Sequence, residues 1–213
     1  MSCGVAKSSD GPGGNQAVFW VGLGGYVKGD PLIQAGVAET ANKRTGRAEY
    51  WAWWEVEPAE SDKRFPGTFQ RRFQRVRVSP GDRIEVDLGL SVSGATSTAF
   101  MDVGGGQGTA IKEFTIPERV SVHSAEVIAE RPTCPRVCNL TAFSPVSFQG
   151  ELFMRGAGVP DNGRVPMDAG LGTSLHKLTL TARHRVLGVS VRKTLADITN
   201  AAGQVTVVWR RAS

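Results

Sequence analysis

The sequence predicts an all-β protein built as one antiparallel sandwich or barrel. Many short stretches alternate apolar and polar residues, and turn signals rich in glycine, proline and aspartate separate them. Strands do not alternate with long helical patterns, which argues against a parallel βαβ architecture. At 213 residues the chain is long enough to bury one such core as a single domain.

The predicted strands begin after a loop or tether, residues 1–16, that is rich in Gly, Ser, Pro and Asp, and residues 17–213 form the predicted sandwich domain. Residues 83–92 have the cleanest period of two, because every second residue from Ile84 to Val92 is apolar. Only residues 194–200 have a helical character, and they are too few for a stable helix. The predicted strands cover residues 17–21, 32–37, 49–57, 69–78, 83–92, 96–103, 109–116, 120–130, 141–153, 175–182, 186–192 and 204–209.

The charge pattern argues against a nucleic-acid partner and the hydropathy pattern against a membrane partner. The net charge is +5, but the one dense basic run, residues 71–77, alternates and predicts a strand with a solvated basic face. No run of 18 apolar residues exists, which excludes a transmembrane helix, and the N-terminus lacks the apolar segment of a signal peptide. Cys134 and Cys138 are spaced for a small disulfide loop or for two free thiols, whereas Cys3 has no evident partner.

Several familiar catalytic patterns are absent from the sequence. The glycine-rich residues 104–108 lack the Gly-Lys-Ser/Thr ending of a phosphate-binding loop, and no Gly-x-Ser-x-Gly elbow occurs. The three histidines, His123, His176 and His184, have no metal-binding spacing, and one Cys-x-x-x-Cys pair makes a poor zinc site. Metal-dependent hydrolysis and Ser/His/Asp catalysis are therefore both disfavoured, and no metal is expected.

Two carboxylates and one amide are the remaining candidates for chemistry. Alternation places Glu126 on one strand face with Ser124, Ile128 and Glu130, where a glutamate lies at a sheet edge or in a cleft. Alternation also places Glu55 on one face with Trp51 and Trp53, which is typical of a lined groove. By composition alone a solvated strand glutamate is the simpler interpretation of both. Gln34 stands in an apolar hexamer, where a buried amide needs a donor and an acceptor as partners.

The order of several short blocks resembles the glutamic peptidases (eqolisins), of which the chain looks like a divergent or bacterial-type member. Residues 20–24 read Trp-Val-Gly-Leu-Gly, residues 32–37 read Leu-Ile-Gln-Ala-Gly-Val, and residues 50–58 contain Tyr-x-Ala-Trp-x-Glu followed by Pro. The turn at residues 78–84, the strand Ser-Ala-Glu-Val-Ile-Ala-Glu at 124–130, the segment 140–148 and the last strand at 205–209 are similar to later blocks of the family. The resemblance spans nearly the whole chain in the family's order.

The resemblance implies an antiparallel β-sandwich of the concanavalin A-like lectin/glucanase jelly-roll type with a concave cleft. It implies that Gln34 and Glu126 are the catalytic dyad, and that Trp20, Glu55, Trp51 and Trp53 line the cleft around them. The implied activity is endopeptidase hydrolysis at acidic pH, with an activated water and without metal or cofactor. A secreted monomer that acts on protein or peptide substrates is expected on the same ground.

Three departures from the family pattern carry their own expectations. Gly24 stands where the best-known fungal members have an acidic residue, which predicts a changed pH optimum. Val127 replaces a common tryptophan after the catalytic glutamate, which predicts that one aromatic wall of the cleft is missing. The chain also begins close to the Trp-Val-Gly block, so either the family's earlier strands are absent, which would leave an open sheet edge, or the start of the chain is misassigned.

Three other functions fit parts of the sequence. A non-catalytic jelly-roll module could bind carbohydrate on a stacking floor of Trp20, Trp51 and Trp53. Paired Glu55 and Glu126 could perform glycoside hydrolysis, although Gln34 has no role in that reaction. A structural fragment without activity of its own would follow from the short N-terminus.

Overall fold

The structure is a computed structural model. It describes residues 6–7, 15–42, 44–58, 70–130, 132, 139–149, 151–153, 164–166, 181–186, 189–194, 196–201 and 204–209. Every regular element in these ranges is a strand, which confirms the all-β prediction. Within the same ranges no helix has the length and hydropathy that a membrane span requires. The chain divides into two compact units, Ser2–Thr141 and Ala142–Ser213.

The first unit is a sandwich of two sheets. One sheet has the order β10-β2-β3-β4-β5, and β9 also pairs with β2. Both β9 and β10 lie along the same edge of β2, with β10 beside residues 15–16 and β9 beside residues 18–23. The second sheet is β6-β7-β8, and all pairs in the unit are antiparallel except β2 with β10. The strands of this unit are β1 (Ala6–Lys7), β2 (Asn15–Gly24), β3 (Leu32–Ala41), β4 (Ala48–Glu57), β5 (Arg71–Arg72), β6 (Ile84–Ser93), β7 (Thr96–Gly105), β8 (Thr109–Ile116), β9 (Ala125–Glu130) and β10 (Asn139–Leu140).

The core of this unit lies between the two sheets, because β6 and β7 contact β3, and β6 also contacts β2. Alternation sends every second side chain of β2, β3 and β4 towards β6–β8. The buried apolar side chains that alternation directs there include Phe19, Ile33, Val37, Val56, Ile84, Met101, Val103 and Ile116. At the margin Trp54 packs on Phe114 with ring centroids 6.4 Å apart.

Where the structure describes it, the second unit contains one three-stranded sheet, two hairpins and a separate two-residue strand at Ala142–Phe143. The sheet has the order β12-β18-β17, and the hairpins pair β13 with β14 and β15 with β16. Ala142, Phe143, Val146 and Phe148 are buried. The strands are β11 (Ala142–Phe143), β12 (Val146–Gln149), β13 (Glu151–Phe153), β14 (Arg164–Pro166), β15 (Thr181–Val186), β16 (Val189–Thr194), β17 (Ala196–Ala201) and β18 (Gln204–Trp209).

Several element predictions are wrong in detail. No strand was predicted at residues 194–200, but residues 196–201 form a strand that pairs with β18, because strand pairing outweighs a weak local preference. The predicted strand at 69–78 is reduced to the two residues of β5 and an isolated bridge from Arg77 to Gln107. Strand β1 and the start of β2 lie inside the predicted loop 1–16. Cys3, Cys134 and Cys138 lie outside the described residues, so the disulfide stays a prediction.

Candidate active site

A row of four residues crosses the first sheet on the face that points away from the core. Glu126 of β9 pairs with Gly22 of β2, Gly22 pairs with Gln34 of β3, and Gln34 pairs with Glu55 of β4. Cross-strand partners project from the same face of a sheet. Gln34 and Glu126 therefore flank Gly22, and their Cα atoms are two strand spacings, about 9–10 Å, apart.

The neighbouring row supplies the floor beside these residues. Trp20 pairs with Gly36 and Ile128, and Gly36 pairs with Trp53. The Trp20 ring lies over Gly22, because a Cβ added to Gly22 would approach Trp20 Cζ3 to 2.7 Å. Only glycine at position 22 therefore allows the indole to lie between Gln34 and Glu126.

The indoles on this face are packed rather than open. Trp20 is 5% exposed and Trp53 is 1% exposed, and both belong to a buried cluster with Val18 and Ala38. Trp51 is only partly buried and packs against the edge of that cluster. Of the three tryptophans, Trp51 is the one whose ring is accessible to a ligand.

Gln34 is buried, and carboxyl groups hold its amide nitrogen. It is 4% exposed, and Nε2 donates to Glu55 Oε2 at 3.3 Å and to Glu57 Oε1 at 3.4 Å. Both contacts are long for hydrogen bonds, so the amide is oriented without being tightly bound. An amide donor aimed into a carboxyl-lined face can stabilise developing negative charge.

Glu126 is half-buried and accepts hydrogen bonds from its own neighbourhood. Ser124 Oγ donates to Glu126 Oε1 at 3.3 Å, and the Tyr26 backbone provides a second hydrogen bond. Burial raises the pKa of Glu126 above its ordinary value of 4.5, although both hydrogen bonds act in the opposite direction. Such a carboxyl group can both accept and return a proton at mildly acidic pH.

The segment before β9 is attached to the turn between β2 and β3. Asp30 accepts the His123 backbone N–H at 2.7 Å, and its other oxygen lies 2.9 Å from the His123 ring Nδ1. The Gly24 N–H donates to the Ser124 carbonyl at 2.8 Å. These three contacts set the register in which Glu126 lies beside Gly22.

Two more glutamates, Glu57 and Glu130, share the face with Glu55. Burial, the charge of Glu57 and the charge of Glu130 together raise the pKa of Glu55 to about 7. Burial and the charge of Glu130 also raise the pKa of Glu57. Glu130 Oε2 accepts a hydrogen bond from Trp20 Nε1 at 2.9 Å, so the same residue orients the indole. At acidic pH Glu55 is therefore protonated.

Comparison with known proteins decides the family to which this arrangement belongs. The family model described as the Peptidase A4 family matches residues 3–174. The chain belongs to the Peptidase A4 family, the glutamic peptidases. It is therefore related to enzymes that act on protein or peptide substrates. A comparison with curated proteins found no match to the sequence.

Solved structures of glutamic peptidases have the same fold as this chain. Aspergilloglutamic peptidase from Aspergillus niger matches with a TM-score of 0.62 and 20% identity, over 92% of this chain and 99% of that one. Scytalido-glutamic peptidase with a transition state analog inhibitor matches with a TM-score of 0.60 and 17% identity, over 97% of this chain and 89% of that one. The predicted jelly-roll β-sandwich is confirmed.

Every predicted site residue within the described ranges lies on one face of the first sheet. The register brings Gln34, Glu55 and Glu126 into one row, with Trp20 and Trp53 in the next row and Trp51 one row further along β4. The catalytic and binding roles of these residues are a proposal. Among the described residues no group of three His, Cys, Asp or Glu is arranged to hold a metal ion.

The structure bears on two of the three departures from the family pattern, those at Val127 and Gly24. Val127 pairs with Val21 and, by strand alternation, projects from the face opposite to Glu126. The prediction that Val127 removes an aromatic wall of the cleft is therefore wrong. Gly24 has φ +80°, and an added Cβ would lie 2.0 Å from the Pro31 carbonyl oxygen. This backbone has no room for an acidic side chain at position 24.

Four residues of the site were not singled out from the sequence. Two of them could have been found from the sequence, because Glu57 lies two residues after Glu55 and Glu130 lies four residues after Glu126. Alternation therefore places each on the same strand face as a candidate glutamate. Ser124 had the same signal beside Glu126. Asp30 had none, since its contact with His123 joins segments 93 residues apart.

Proposed function

We propose that this peptidase is an endopeptidase that cleaves peptide bonds at acidic pH with Gln34 and Glu126 as its catalytic pair. The observation that carries the proposal is the row in which these two residues flank Gly22 on one face of the first sheet, in a chain of the Peptidase A4 family. An amide donor and a titratable carboxyl group on either side of a side-chain-free position are suited to activating and stabilising an attacking water.

In the proposed reaction Glu126 begins ionised and removes a proton from a water molecule as the water attacks the scissile carbonyl carbon. The carbonyl oxygen becomes negatively charged, and the Gln34 N–H donates a hydrogen bond to it. Glu126 then gives its proton to the leaving nitrogen as the carbon–nitrogen bond breaks. The products are a carboxylic acid and an amine, and Glu126 is ionised again.

The state of Glu55 decides whether the Gln34 amide is available to a substrate. Glu55 holds the amide nitrogen at 3.3 Å, and ionised carboxylates accept hydrogen bonds more strongly than neutral ones. Because the pKa of Glu55 is raised to about 7, acidic solution leaves it neutral and weakens its competition for the amide. This competition gives a physical reason for an acidic working range.

Replacement of Gln34 by alanine tests the proposal directly. The variant should lose about 10²- to 10³-fold in kcat, as expected when one oxyanion donor is removed. Initial rates on casein or a quenched peptide, measured between about pH 2 and 6, provide the comparison. Glu113→Gln on the exposed face of β8 is the matched control and should keep full activity. A Gln34→Ala protein with undiminished turnover would contradict the assigned role.

A second prediction concerns the charge of Glu130. Glu130→Gln keeps an acceptor for Trp20 Nε1 but removes a charge that raises the pKa of Glu55. The pKa of Glu55 should fall, so the alkaline limb of the kcat/KM profile should move to lower pH. Glu130→Leu also removes the acceptor and should lower kcat further. Identical profiles for wild type and Glu130→Gln would exclude this electrostatic role.

The carbohydrate-binding alternative loses its stacking floor. Trp20 and Trp53 are buried in the cluster with Val18 and Ala38, whereas stacking of a sugar on an indole requires an exposed ring face. Glycoside hydrolysis fits no better, since Glu55 and Glu126 stand three strand spacings, about 14 Å, apart at their Cα atoms. Paired glycosidase carboxyl groups are about 5–10 Å apart.

Secretion and a monomeric state belong to the same proposal. A peptidase that works at acidic pH needs an acidic medium, which is found outside the cytosol. The proposed chemistry uses only side chains of one chain and water, so it needs no second subunit. Both expectations stay predictions for this glutamic peptidase.

A further inference from the structure

The strand at the edge of the sheet brings a cation to the same face as the proposed catalytic row. Arg72 of β5 pairs with Trp53 of β4, so its side chain projects from the face that carries Trp51 and Glu55. The Arg72 guanidinium carbon lies 4.0 Å from the centroid of the Trp51 ring. Arg72 is exposed, while Trp51 is partly buried against the aromatic cluster.

Stacking on an indole prepares a guanidinium for a second ligand. The flat group rests on the ring face, and its N–H edge stays directed outward for paired hydrogen bonds to a carboxylate. In the described part of the chain no carboxylate forms an ion pair with Arg72. Four glutamates occupy the same face, at positions 55, 57, 126 and 130, whereas the contact that the Arg72 guanidinium makes there is with the Trp51 ring.

The spacing from the catalytic row can be read from the register. Arg72 lies two strands from Gln34 and one pleat along the strand, which together give about 12 Å between their Cα atoms. An extended peptide advances about 3.3–3.6 Å per residue. A substrate residue over Arg72 is therefore about three or four residues from the scissile bond.

We propose that Arg72, stacked on Trp51, forms a subsite that binds a carboxylate of the peptide substrate three or four residues from the cleaved bond. The carboxylate comes from an aspartate or glutamate side chain or from the peptide's C-terminus. This inference rests on the proposed peptidase function, whose substrate class it narrows. Protonated Glu55 reduces repulsion of such a substrate at acidic pH.

Matched peptides test the subsite by cleavage. The peptides of one series have an amidated C-terminus and carry either Glu or Gln at one test position. The test position lies three or four residues before or after the cleaved bond. A second series carries only Gln and ends at that distance in a free or amidated C-terminus. At about pH 5.5, where a peptide glutamate is ionised, wild type should favour the carboxylate about tenfold in kcat/KM at one position. Arg72→Gln should abolish the preference by lowering kcat/KM for the carboxylate peptide to the value for its Gln counterpart.

The pH dependence of the Glu/Gln ratio in kcat/KM distinguishes ionisation of the peptide's carboxyl group from ionisation of the protein's own carboxyl groups. The charged groups that share the face, Arg72 and the glutamates at positions 55, 57, 126 and 130, are the same whichever peptide is bound, so their effects cancel in the ratio. The Glu/Gln ratio should therefore fall towards one at about pH 3, as the peptide glutamate becomes neutral. A ratio near one at every position, or a preference that survives Arg72→Gln, would overturn the subsite.

A binding measurement keeps this inference distinct from the peptidase proposal. Calorimetric titration of wild type and Arg72→Gln with the Glu and Gln peptides needs no turnover and should show the same roughly tenfold difference in Kd. If no peptide is cleaved but wild type alone prefers the carboxylate, the peptidase proposal fails and the subsite stands. If peptides are cleaved and bound without that preference, the subsite fails alone.

Discussion

Glu126→Gln is expected to lower peptide hydrolysis by about 10²- to 10⁴-fold, the usual contribution of a general acid–base group. Glutamine has nearly the same shape and can still accept the hydrogen bond from Ser124, so the sheet around it should not change. An amide cannot take a proton from water or return one to the leaving nitrogen. The loss should therefore appear in kcat, with a smaller change in KM.

The measurement is kcat/KM and kcat on one quenched peptide for wild type, Glu126→Gln and the surface control Glu113→Gln. Wild type should show a bell-shaped pH profile. The acid limb should lie above 4.5, because burial raises the pKa of Glu126, and the alkaline limb near 7, where Glu55 ionises and retains the Gln34 amide. Full turnover by Glu126→Gln at the optimum would remove the catalytic pair as an explanation of the activity.

Alkaline loss of stability is the second large effect, and it originates at Glu39. This residue is 0% exposed on the core side of β3, between Ala17 and Tyr50. Neither carboxyl oxygen has a hydrogen-bond partner in the described structure. Burial raises the pKa of Glu39 from 4.5 to about 8. A neutral carboxyl group can remain there, whereas an ionised one is strongly disfavoured.

The sign of the effect follows from linkage. Since the folded pKa exceeds the unfolded one, the contribution of Glu39 to the free energy of unfolding is fully present below about 4.5 and is lost as pH rises to about 8. The loss is on the order of 4–5 kcal/mol, which is a large share of the stability of an ordinary domain. Stability at acidic pH and weakness at mildly alkaline pH are expected.

Urea unfolding of wild type, Glu39→Gln and Glu113→Gln at about pH 4, 6 and 8 measures this contribution. Wild type and the surface control should lose stability as pH rises, while Glu39→Gln should lose less of it. Glu55, Glu57, Asp102 and Glu126 also have raised pKa values and contribute slopes of the same sign, so the difference between variants isolates Glu39. Equal slopes in wild type and Glu39→Gln would show that position 39 does not carry the effect.

The strand predictions succeeded where alternation was long and regular. Residues 109–116 and 204–209 were predicted with the observed bounds, whereas the prediction 49–57 begins one residue late and the prediction 83–92 is shifted by one residue at both ends. Some short or polar strands were missed, as at residues 196–201, because pairing with β18 stabilises a strand that local preference does not favour. The basic run 71–77 failed for a related reason, since only its first two residues find a partner strand.

The same division applies to the site. Alternation and block order were sufficient to choose Gln34, Glu55 and Glu126 and to assign each to a strand face. They were not sufficient to show that β9 lies beside β2, because any strand presents the same backbone donors and acceptors to every possible partner. That pairing places Gly22 between Gln34 and Glu126 and brings Glu130 to Trp20. Val127 faces away from the cleft by alternation within β9.

The amino-acid order therefore determined the all-β class, the family and the identity of the residues proposed to react, since each depends on local alternation or on a run of neighbouring residues. The tertiary structure decided which glutamates share a face, which indoles are covered, and which carboxyl groups hold their protons. Desolvation and Coulomb interactions depend on distance and on depth below the surface. Glu39 and Glu126 both occur in strands of alternating pattern, and only folding buries the first completely and leaves the second half-exposed beside Gly22.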